Sequence, residues 1–69
     1  MTLDDYRIAC RWSKAEMARQ AKVDVATLKR AMKGTPVSLD TARKLASAIS
    51  EGLGSSVSYP QIEGLNIIQ

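Results

Sequence analysis

Apolar residues recur at intervals of three and four through the first fifty positions, and polar residues with capping chemistry break the recurrence into short blocks. The pattern predicts a succession of short amphipathic helices, with strand character absent until about residue 56. Leu3, Tyr6 and Cys10, flanked by Ile8, form the first block. Thr2 precedes it, and Asp5 three residues later makes a capping-box variant. Asp4 and Asp5 also favour the positive end of a helix dipole. Ser13-Lys14-Ala15-Glu16 opens the second helix as an S-x-x-E box, in which the Ser13 hydroxyl caps the Glu16 amide and the Glu16 carboxylate reaches back. Trp12 and Met17 form a hydrophobic staple around that cap, and Met17, Ala18 and Ala21 make the inner face. Asp24 is the N-cap of a third helix, Val23 and Leu28 are its staple pair, and Leu28, Ala31 and Met32 share one face. Gly34 and Pro36 stop it. Ser38 opens a fourth helix with an apolar stripe of Leu39, Ala42, Leu45, Ala46 and Ile49, which Gly52 and Gly54 end.

Only Lys22, Val23 and Asp24 separate the second helix from the third. So short a connection bends two helices sharply against each other, which is helix-turn-helix geometry. With Leu28 set at zero and about 100° per residue, Met32 falls near 40°, Val25 near 60° and Ala31 near 300°; Lys29, Lys33, Ala26 and Arg30 fall between about 100° and 200°. The outer sector is therefore cationic, and Ala26 leaves room for close approach. A helix of this kind fits the major groove of B-DNA, where Arg and Lys meet guanine O6 and N7 and a residue such as Val25 meets a thymine methyl. The alternative is that Lys29, Arg30 and Lys33 form an ordinary solvated face. Trp12 reads as core rather than as a base-stacking residue, Cys10 as a small core residue, and Met17 and Met32 as core filler.

Sixty-nine residues allow one domain. The chain has one cysteine and no histidine. A disulfide framework is thereby excluded, a structural zinc site is disfavoured, and the usual general base is missing, so neither an enzyme nor a cofactor or metal is expected. No apolar run approaches the ~18 residues of a membrane span and no signal-peptide pattern opens the chain, so a cytoplasmic protein is expected. The formal net charge is +3, but its placement matters more. Residues 11–33 hold Arg11, Lys14, Arg19, Lys22, Lys29, Arg30 and Lys33 against only Glu16 and Asp24. A basic zone so concentrated suggests a polyanionic partner.

The stretch from Trp12 to Ile49 resembles the phage Cro/repressor-type (XRE-like) helix-turn-helix family. The resemblance rests on Ser13-Lys14, Ala18, the Ala21-Lys22-Val23 turn, Leu28, Gly34, Pro36-Val37-Ser38-Leu39 and above all the run SLDTARKLASAI. It implies an all-α, four- or five-helix lambda-repressor-like domain over residues 1–54. It also implies a small transcriptional regulator of bacterial, phage or mobile-element origin that binds double-stranded DNA as a homodimer on a (pseudo)palindromic operator. Carried over position by position, Lys14, Val25, Ala26, Lys29 and Arg30 are base-proximal, while Thr27, Lys33 and Thr35 face phosphates. The capped N-terminus of the second helix also points at a phosphate. Two positions depart from the pattern. Lys22 stands where the family usually has Gly, at a cost of ~1–2 kcal/mol if the turn stays left-handed, offset in part by a phosphate contact. Lys14 stands where the family usually has Gln and keeps only the phosphate role securely.

Residues 55–69 form a C-terminal tail outside this pattern. Val57 and Tyr59 alternate with serines, and the chain ends on Leu65-Asn66-Ile67-Ile68 before Gln69. One expectation is a dimerisation arm, a short strand pairing with its symmetry mate; a second is an extension packed on its own helices; a third is disorder. A rival from a different class is a protein-interaction module on the same scaffold, such as an antiactivator using the tail as its binding arm. Elution from heparin at low salt would favour that rival.

Overall fold

Three hydroxyl side chains fix where helices begin. In a computed structural model, which describes residues 1–68, α1 spans Leu3–Ala9, α2 Lys14–Ala21, α3 Val25–Met32 and α4 Leu39–Leu53. Thr2, Ser13 and Ser38 accept the N3 amides of α1, α2 and α4 through their side-chain oxygens, satisfying donors that have no partner inside the helix. The Thr2 box is reciprocal. The Thr2 amide donates to the Asp5 carboxylate at 2.9 Å, and this bond holds the Asp5 carboxyl below its ordinary pKa.

The Ser13 box forms only by half. Glu16 does not reach back but runs along α2, accepting from Arg19 Nη1 at 3.2 Å and Gln20 Nε2 at 2.9 Å. Two such bonds, one of them charge-assisted, outcompete one bond to an exposed amide that water can serve. Asp24 occupies the N-cap of α3 with extended backbone, but its exposed carboxylate makes no capping hydrogen bond.

The first three helices end alike. Trp12, Val23 and Thr35 each donate a backbone N–H to a carbonyl five residues back, those of Arg7, Ala18 and Arg30. The residue before each donor is left-handed: Arg11 at φ 60°, Lys22 at 59° and Gly34 at 91°. This is the Schellman closure, which normally selects glycine at the left-handed position. Lys22 therefore takes the conformation required of the family turn without being glycine.

Met17, Leu28, Leu45 and Ile49 are fully buried at the centre, one from α2, one from α3 and two from α4. α2 packs on both α3 and α4, and α1 closes the same core against α3 and α4. Leu39, expected in the apolar stripe of α4, is instead 37% exposed, since it lies in the first turn before the helix enters the core. Gly52 does not end α4, which continues to Leu53 before Gly54 turns left-handed. What selects glycine at 52 is the indole of Trp12: a Cβ there would lie 2.7 Å from its Cη2 and Cζ2 and 2.9 Å from Cys10 Sγ. Burial at this contact also pushes the Cys10 thiol up from its ordinary pKa. Gly52→Ala gains about 1 kcal/mol of helix propensity and loses about 1–3 kcal/mol to overpacking. We expect a lower Tm by thermal denaturation and, because Trp12 is the only tryptophan, a clean red shift of its emission as the ring is displaced.

The tail lies back on its own helices. Val57 donates its amide to Ser50 Oγ at 2.8 Å, Tyr59–Gln61 form a 3-10 turn on α4, and Ile62 enters the core at 3% exposure. Where strand character was one expectation, the described residues carry only isolated parallel bridges, Thr2 with Glu63 and Val37 with Ile67. Pro60 inside the 3-10 turn breaks the alternation before a strand can develop. Among the described residues no helix is long and apolar enough to cross a membrane.

Candidate nucleic-acid interface

The helical period divides α3 cleanly. Leu28 and Ala31 are buried at 0% and 1%, and Met32 packs half-buried beside them. Ala26, Lys29 and Arg30 are exposed on the outer side, Val25 is exposed at its flank, and Lys33 continues the outer side at the C-cap. Burial of one face against α2 thus fixes which residues of α3 project outward. The small Ala26 lies beside Val25 at the N-terminal end, and the cations follow toward the C-terminal end.

The flanking candidates are distributed around this helix. Lys14 is the first residue of α2 and Lys22 its left-handed cap, both exposed. The eight residues of α2 span about 12 Å of axis, so these two lysines lie at opposite ends of the helix. Thr35 is exposed in the loop after α3, whereas Thr27 is half-buried. Arg11, which sequence reasoning placed in the basic zone but not in the site, is an exposed, left-handed cation at the turn before α2. No glycine or asparagine marks that turn, so nothing local in the sequence signals it.

The electrostatics of this surface follow from which charges are already paired. The ion pairs among the described residues join the Met1 ammonium to Glu63, Arg7 to Asp4, Arg19 to Glu16 and Lys44 to Asp40. Lys14, Lys22, Lys29, Arg30 and Lys33 take part in none of them. Glu16 neutralises a cation of its own helix, and among the described residues six cations around α2 and α3, these five and Arg11, have no ion-pair partner. Free cations on an exposed helix face have hydrogen-bond capacity for phosphate oxygens and base-edge acceptors alike. Among the described residues no group of three or more His, Cys, Asp or Glu side chains is placed to hold a metal ion.

A family model described as helix-turn-helix matches residues 3–59, which takes in all four α-helices and the first residue of the 3-10 turn. No curated protein and no solved structure matches the chain.

Proposed function

This chain belongs to the helix-turn-helix family, of the Cro/repressor (XRE) type, and is a DNA-binding transcriptional regulator; from that premise we propose that it binds specific operator sequences by laying α3 in the major groove. The observation that carries this reading is the outer face of α3, exposed, cationic and in no ion pair with any described residue, on the second helix of a three-residue turn. Lys29 and Arg30 meet base edges, Val25 and Ala26 allow close approach, and Lys14 adds a contact from the start of α2. Lys22, Thr27, Lys33 and Thr35 hold the duplex by its phosphates and set the register.

The axis of α3 is about 12 Å long, far shorter than the ~34 Å between successive half-sites on one face of B-DNA. A single copy therefore spans one half-site, and a (pseudo)palindromic operator takes two. We assign the regulator a Cro-like repressive action, in which occupancy of the operator excludes polymerase. With about four phosphate contacts per subunit, a bound pair gives a log–log salt slope of about −7.

The test is selection of bound sequences from a random duplex pool, followed by titration of the selected site against a scrambled one over a salt series. Enrichment of a two-fold-related motif supports the reading, and equal binding to both duplexes at every salt concentration contradicts it. In the same assay Lys33→Ala is expected to weaken selected and scrambled duplexes alike and to make the slope shallower by about 0.9 per subunit, as loss of one phosphate contact requires.

A further inference from the structure

Residues 60–68 lie beyond the span the family model matches, yet they fasten the loop that leaves α3. Ile62 anchors this segment in the core, and the Glu63 amide donates to the Met1 carbonyl at 2.9 Å. Three residues on, the chain reaches the loop after α3. Asn66 Nδ2 donates to the Gly34 carbonyl at 2.6 Å. The Val37 amide donates to the Asn66 carbonyl at 2.9 Å, and the Ile68 amide donates to the Val37 carbonyl at 2.8 Å. Three hydrogen bonds thus grip residues 34–37 from a segment about thirty positions away in sequence.

That loop matters because of what it carries. Lys33 caps α3, Gly34 is the left-handed residue after it, and Thr35 stands exposed before Pro36. Glycine confers wide backbone freedom, so the direction in which the chain leaves α3 is weakly set by its own sequence. A loop left to order itself on binding subtracts its conformational entropy from affinity, and one held in advance does not.

We propose that Asn66 is a positioning residue for DNA binding: its side-chain amide, with the Val37–Ile67 bridge, holds the 34–37 loop and its exposed Thr35 in the arrangement that meets the phosphate backbone. The inference rests on the reading of α3 as the duplex-contacting helix and adds to it a dependence on the far end of the chain.

The experiment is a fluorescence-anisotropy titration of a labelled duplex with the full chain, as wild type, Asn66→Ala and Gln61→Ala, over a salt series at a temperature where all three are folded. Both substitutions are charge-neutral. Gln61 accepts the Ser58 amide at 2.8 Å within the same tail and, among the described residues, its side chain makes no hydrogen bond to the 34–37 loop, so it reports general weakening of the tail. Loss of one such hydrogen bond is expected to lower duplex affinity of Asn66→Ala about two- to tenfold. The salt slope should stay near the wild-type value, since Thr35 carries no charge, and amide exchange at Thr35 and Val37 should accelerate while core amides of α2 and α4 keep wild-type rates. Gln61→Ala should bind as the wild type does. Wild-type affinity in Asn66→Ala, or an equal loss in Gln61→Ala, would overturn the inference while leaving α3 as the contacting helix. Failure of the wild type to bind any duplex would overturn both.

Discussion

Replacing Leu28 with alanine is expected to destabilise the protein by about 2–5 kcal/mol, the range for emptying a buried leucine site. A chain of this length has about 3–10 kcal/mol of total stability, so the variant should populate unfolded molecules measurably at room temperature. Leu28 is fully buried, and it is the α3 residue among the four side chains at the centre of the core. Its loss removes the contact that turns the opposite face of α3 outward. Circular dichroism with urea titration reads the effect as a lowered midpoint. DNA affinity should fall in proportion to the folded fraction and recover at lower temperature or with stabilising osmolyte. A midpoint within about 0.5 kcal/mol of wild type, the usual range for surface changes, would mean that α3 is not docked through Leu28.

Arg30→Ala should do the reverse. Arg30 is exposed and forms no ion pair among the described residues, so its removal should leave the urea midpoint unchanged. Affinity for the selected operator is expected to fall by about 1–3 kcal/mol, roughly five- to 150-fold, with discrimination relaxed at one base position of each half-site. Lys29→Ala should relax a different position. A uniform loss across all sequences would place Arg30 on phosphate instead, and an unchanged operator affinity would remove it from the interface. Leu28 and Arg30 are two residues apart on one helix, yet the two substitutions separate folding from recognition.

The amphipathic division behind this contrast was readable from the chain because it depends on local periodicity. So were the caps at Thr2, Ser13 and Ser38, since a hydroxyl capping an amide three residues on needs nothing from the rest of the molecule. The left-handed turn at Lys22 followed only from the family resemblance, because lysine carries no conformational signal of its own. The features that escaped depend on distant partners. Gly52 looked like a helix stop by propensity, but it is glycine because the Trp12 ring, forty positions earlier, occupies the space of its Cβ. The direction of Glu16 was a competition between two partners of similar reach. The course of the tail is set by Ile62 in the core and by bridges to Thr2 and Val37, which no local pattern encodes. The same holds for the site. The cations of α3 are legible one by one, whereas their freedom from ion pairs and the grip of Asn66 on the loop below them emerge only when the chain is folded.

The most direct measurement is amide chemical-shift mapping of the isotope-labelled protein as a selected duplex is added. The largest changes are expected at Val25, Ala26, Lys29 and Arg30, with smaller ones at Lys14, Lys22 and Thr35, and the buried face of α3 following only weakly. Shifts confined to α1 or to residues 57–68, with the amides of α3 unmoved at saturation, would contradict the placement of α3 in the groove.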